Sequence, residues 1–133
     1  MFTTVLLRLV LAFAAVNGGL AVAGGAYATH VLTDAHAIEL FHIAGRYQAD
    51  HALALLGVVL IRPWISPLWA RFLMVLAALA FIAGLILFSG TLYADALLGA
   101  GPWSPLAPAG GISFLVGWAV LALGAFGWSG RRG

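Results

Sequence analysis

The stretch from Leu9 to Ala28 is apolar apart from Asn17. About 20 such residues, wound as a helix, match the hydrocarbon thickness of a bilayer. Phe72 to Tyr93 repeats the pattern, with Ser89 and Thr91 near its end, and Ile112 to Trp128 is a shorter run of the same kind. A further span needs more argument. Ala52 to Ile61 is apolar but too short alone, so its helix must start upstream, near Gly45. Its outer turns then include Arg46, Gln48, Asp50 and His51. Those side chains are costly in lipid and should face protein, water or headgroups. Composition agrees with spans at 9–28, 45–61, 72–93 and 112–128. The chain is 64% hydrophobic and 8% charged, where a soluble domain carries roughly 25% charged residues. Its 133 residues suit a single membrane domain over 1–133.

Charge orients the spans. Arg8, Arg62, Arg71, Arg131 and Arg132 fall on one side of a four-span arrangement, and Asp34, Glu39, Asp50 and Asp95 on the other with Arg46. Arginine near span ends marks the cytoplasmic side, so both termini are expected there. Trp64, Trp69, Trp103 and Trp128 sit near span ends, as interfacial anchors do. A rival reading of the start is a cleaved signal peptide, which Arg8, the apolar run and Ala26-Tyr27-Ala28 imitate. The run is long for such a peptide, and its removal would spoil the four-span charge pattern. A net charge of +2 without a basic patch does not suggest nucleic acid. With no Cys there are no disulfides, thiol nucleophiles or cysteine-bound metals.

The connections are readable in outline. Thr33 or Asp34 can cap an amphipathic outer helix starting near Ala35, which runs toward the second span. RPWISPLWAR is a short turn punctuated by Pro63 and Pro67, and GAGPWSPLAPAGG is a Pro/Gly-rich outer loop without helix. Ala14, Gly18, Ala21 and Gly25 recur on one face of the first span, and Gly84, Gly117 and Gly124 mark later ones. Small residues let membrane helices approach closely, so an all-α, integral membrane four-helix bundle is expected. An offset of 66 residues aligns Gly18 with Gly84 and Tyr27 with Tyr93, a faint internal repeat.

At about 100° per residue, Glu39, His42, Arg46 and Asp50 fall on one helix face, with Gly57 below them. The stripe admits three functional readings and a structural one. It can be part of a proton or ion path, although Asn17, Ser89 and Thr91 alone continue it and no charge is expected at mid-membrane. His36, Glu39 and His42 are possible metal ligands. Their spacing spreads them over roughly 120°, which is poor for one site. Catalysis through such a metal is the weakest. Haem between spans would need deep histidines, and all four are expected near the outer edge. The structural reading is a latch: Arg46 and Asp50 as an i,i+4 pair, extended by Glu39 and His42, tying the outer segment to the loops. No nucleophile triad, phosphate loop or carboxylate pair stands out, so no catalytic residues and no cofactor are assigned.

GGAYATHVL (24–32), RYQADHALALL (46–56), GLILFSGTLY (84–93) and PAGGISFLVGW (108–118) together resemble one family. It is the domain-of-unknown-function 423 family of small bacterial inner-membrane proteins, related to eukaryotic transmembrane protein 256. The resemblance covers most of the chain. Where members usually read Phe-Gly-Ala-His, this chain has Tyr27-Ala28-Thr29-His30. The resemblance implies a four-helix protein of the inner membrane and supplies no activity. It singles out Tyr47, Gln48, His51, Ser89, Gly90, Tyr93, Gly110 and Gly111. With the span positions, these suggest one cluster near the outer leaflet: Tyr47, Gln48 and His51 facing Ser89 and Tyr93, closed over by the Gly110-Gly111 turn. Such a cluster is either hydrogen-bond glue between spans or a pocket for a lipid headgroup or small polar ligand. The function expected is a non-enzymatic accessory or structural component that binds lipid or another membrane protein, in a larger complex or as a homo-oligomer. A minimal transporter is the alternative.

Overall fold

The computed structural model describes residues 4–130. The chain forms four long helices: α1 (Thr4–His30), α2 (Ala35–Ile61), α3 (Leu68–Leu98) and α4 (Leu106–Ala125). α1, α3 and α4 are each long and apolar enough to cross a membrane. α2 equals α1 in length at 27 residues but carries Glu39, Arg46 and Asp50. The chain is an all-α membrane bundle. Two ends are distinguished below: the distal end holds the α1–α2 and α3–α4 connections, and the proximal end the α2–α3 turn. Arg131 and Arg132 lie outside the described residues.

α2 starts where a cap permits it. Asp34 Oδ1 accepts the Ala37 N–H at 2.8 Å, satisfying a donor that the first turn leaves orphaned. From there the amphipathic segment and the second span are one unbroken helix. This moves Asp50 and His51 away from a helix mouth and past its midpoint, deeper than a span starting near Gly45 places them. α4 also starts earlier than its composition suggests. Leu106 to Gly111 is helical, not loop, with Pro105 as N-cap and Pro108 in the first turn. Proline is tolerated there because no first-turn N–H has a partner inside the helix. Trp128 lies beyond α4. Its backbone bridges to Ile65, and its ring stacks on Trp64 with centroids 5.6 Å apart.

Two helix pairs share a seven-residue rhythm. Along α1, Ala14, Ala21 and Ala28 are buried; along α2, Ala37 and Ala44 are. Small side chains every seventh residue let these antiparallel helices lie close. The seam uses Ala28 rather than Gly18 or Gly25, which have open space beside them. Between α3 and α4 the contact is glycine against bulk. A Cβ on Gly117 would meet the Phe81 ring at 2.6 Å. Gly110 likewise abuts Phe88, Gly124 abuts Met74, and Gly84 on α3 takes the Phe114 ring. Gly18 and Gly84, paired by the internal repeat, therefore stand in different surroundings.

α2 packs on α3 chiefly along its distal part, from Leu85 to Leu98. Here α3 is not a plain α-helix. Leu85–Ser89 is a π-turn, closed by the Gly90 N–H on the Leu85 carbonyl. One extra residue in the turn rotates everything after it by about 100°. Below the π-turn an apolar core of Leu55, Val58, Met74, Ala77, Ala78 and Phe81 fills the proximal half.

Candidate functional site

Gln48 lies at the middle of α2 and is buried, with 6% of its surface exposed. An unpaired amide there would cost several kcal/mol in a bilayer. Its partners come from two other helices. The Tyr93 hydroxyl on α3 donates to Gln48 Oε1 at 2.8 Å. Gln48 Nε2 donates to Asn17 Oδ1 on α1 at 3.0 Å, and Asn17 Nδ2 donates to the Phe13 carbonyl at 2.9 Å. The chain of donors thus links three helices and ends on backbone. The π-turn is what allows it, because it sets the angle at which α3 presents Tyr93 to α2. Ser89, at the end of that turn, donates to the Ala44 carbonyl at 3.1 Å.

The Tyr93 hydroxyl sits in a hollow made by missing side chains. A Cβ on Gly24 would meet its oxygen at 3.1 Å, and one on Gly45 at 3.4 Å. Beside it a groove of ≈ 510 Å³ opens between α1, α2 and α3, walled by Leu20, Tyr27, Phe41 and Leu97, with Gln48 and Tyr93 as its polar atoms. One N–H of Gln48 and a lone pair of the Tyr93 oxygen are left over by the hydrogen-bond inventory.

His51 belongs to a different group. Trp118 Nε1–H on α4 donates to His51 Nε2 at 3.1 Å, and His51 Nδ1 meets the Tyr47 carbonyl at 2.7 Å. Indole is only a donor, so Nε2 carries no hydrogen and Nδ1 does. The ring stacks on Phe114 at 3.5 Å and 13°. Phe114 also neighbours Tyr47 and Phe88. His51 is buried past the middle of α2 rather than near the outer edge, and both its nitrogens are engaged.

The expected single cluster is therefore two. Gln48, Ser89 and Tyr93 do lie together, with Asn17 added. His51 and Tyr47 turn to the α4 side, with Phe114 and Trp118 added, and Tyr47 is exposed. Gly110 does not cover the polar atoms; it seats against the π-turn at Phe88. Asn17 was readable as the one polar interruption of the first span. Phe114 and Trp118 lie within the PAGGISFLVGW motif, but nothing in the sequence tied them to His51.

The stripe of Glu39, His42, Arg46 and Asp50 stands exposed on the side of α2 away from the bundle. It does not run into the bundle, because the buried residues Ala37, Ala44, His51 and Val58 occupy the opposite face. A shallow groove of ≈ 420 Å³ runs along it, lined by Glu39, His42, Arg46 and Tyr47 among others. Among the described residues no three His, Asp or Glu side chains gather closely enough to hold a metal ion. At the distal end, Asp95 Oδ1 accepts from Trp103 Nε1 at 2.7 Å and from Ser104 Oγ at 2.8 Å, folding the α3–α4 connection onto α3.

Comparison with known proteins adds a family but no activity. The model described as "Protein of unknown function (DUF423)" matches residues 24–111. The UPF0382 inner membrane protein YgdD of Escherichia coli (strain K12) is 40% identical over 121 residues, covering 89% of each chain. A UPF0382 membrane protein of Haemophilus influenzae is 35% identical over 119 residues, 87% of this chain and 92% of its own. One from Staphylococcus aureus (strain bovine RF122 / ET3-1) is 33% identical over 129 residues, 93% of this chain and all of its own. No solved structure matches.

Proposed function

Since the chain belongs to the DUF423 family of inner-membrane proteins, we propose that it works there as a non-enzymatic accessory component that holds a lipid. The groove between α1, α2 and α3 carries this reading. Its walls suit an acyl chain, and Gln48 and Tyr93 present one donor and one acceptor among them. Convergent polar atoms in an otherwise apolar hollow are the usual make-up of a small-molecule site. Pairing within the membrane through the exposed face of α2, with a second copy of the chain, is the second form of the same accessory role. Transport draws less support. Gln48, Asn17 and Tyr93 are tied to one another, and the core beneath them is apolar from Leu55 to Phe81, so no polar path continues below them.

Native mass spectrometry of the protein in nanodiscs of its own membrane tests the reading. A bound lipid is expected in the wild type and lost in Tyr93→Phe and Gln48→Leu, both of which also melt earlier because each orphans a buried partner. If no lipid is bound even in the wild type, the cluster is only glue between helices. Flux in proteoliposomes that vanishes with Asp50→Asn would replace this reading with transport.

A further inference from the structure

α2 has two seams, and this chain fills only one. Ala37, Ala44, His51 and Val58 face the bundle at seven-residue spacing. On the opposite side Glu39, Arg46, Leu53 and Leu60 repeat the same spacing, with Ile43, Asp50 and Gly57 as a second row. Steps of four and three alternate along this outer seam, from residue 39 to residue 60. That is the pattern of a helix surface that receives another helix knobs-into-holes. Leu53 is 66% exposed and Leu60 69%.

Depth makes the seam untenable in bare lipid. α2 has 27 residues, so it is about 40 Å long against a hydrocarbon core of about 30 Å. Only about 10 Å of it can protrude. Asp50 lies 15 residues from Ala35 and 11 from Ile61, hence about 22 Å and about 16 Å from the two ends. Wherever α2 is placed across the membrane, Asp50 is inside hydrocarbon, and it is exposed on the surface of the chain. Intramembrane charges face protein or water.

We propose that the outer seam of α2 pairs with the same seam of a second copy of this chain. Charge decides for a second copy. The seam carries one base and one acid in its membrane part, Arg46 and Asp50, one helical turn apart. In a dimer whose two-fold axis follows the membrane normal, Arg46 of each copy meets Asp50 of the other. The two levels differ by about 6 Å, within the reach of an arginine side chain. Both pairs are made at once and the contact closes, as an isologous interface requires. A partner with one charge would leave the other bare. Gly57, with nothing within 4 Å of a Cβ position, lets the two backbones come close beneath the charges. The pairing does not depend on what the groove at Tyr93 holds.

The chain has no native cysteine, so crosslinking gives a clean test. Leu53→Cys, on the seam, and Leu79→Cys, exposed on α3, are oxidised in native membranes. The first is expected to form a covalent dimer at least tenfold faster than the second. Arg46→Asp and Asp50→Arg, each added to Leu53→Cys, should lower that yield several-fold, and the two together should restore it. Tyr93→Phe should leave it unchanged, which separates this proposal from the lipid reading. Equal rates at positions 53 and 79, or a different protein captured at position 53, would each overturn it.

Discussion

Single residues in this bundle are held by what they exchange with neighbouring helices. His51 is the clearest case. Its stack on Phe114 and the Trp118 N–H on its Nε2 tie α2 to α4. Replacing it by Phe keeps a ring for Phe114 but orphans the indole donor, a loss of about 1–3 kcal/mol. His51→Ala removes the stack as well and should cost more, about 2–5 kcal/mol by analogy with large-to-small core changes. Thermal unfolding in detergent, followed by tryptophan fluorescence, should rank wild type above His51→Phe above His51→Ala. Equal melting of the two variants would mean that the stack contributes nothing.

At the scale of elements, glycine position matters more than glycine number. Gly84 and Phe114, like Gly117 and Phe81, lie in contact across the α3–α4 interface. Gly84→Ala forces the Phe114 ring to move and should destabilise by about 1–3 kcal/mol. Phe114→Leu should relieve part of that, so the double variant should be more stable than the sum of its parts. Gly25→Ala meets open space and should be neutral or gain up to about 1 kcal/mol from helix propensity. A melting series over these four variants checks all three statements. The π-turn is the other element-scale device. Ser89 ends it and ties it to α2, so the same five residues that seat Gly110 also turn Tyr93 toward Gln48.

For the whole molecule, alternation of four helices places both ends of the described chain on one side of the bundle. Arg8, Arg62 and Arg71 share that side, and positive charge marks it as cytoplasmic. A fluorescent protein fused after Gly133 should therefore glow, and alkaline phosphatase at the same site should stay inactive. A phosphatase fused in the Gly99–Pro105 connection should be active. The opposite pattern would invert the bundle. It would not alter the depth of Asp50, which follows from the length of α2 when that helix crosses the membrane.

Sequence by itself determined the membrane class and the number and order of the helices. These are local matters: apolar run length, arginine at the flanks, Asp34 as a cap, Pro63 and Pro67 in the turn. The family resemblance marked Tyr47, Gln48, His51, Ser89 and Tyr93 as one group, of which the structure keeps Gln48, Ser89 and Tyr93 together. Sequence misjudged the start of α4, because proline in a first turn looks like proline in a loop. The orientation of α2 was decided only by the tertiary structure. That helix carries polar residues on both sides, Gln48 and His51 on one and Arg46 and Asp50 on the other, each at helical spacing. Periodicity cannot rank two polar faces. The alanine seam of α1, with Asn17 set opposite Gln48, drew one face inward and left the charged one outside.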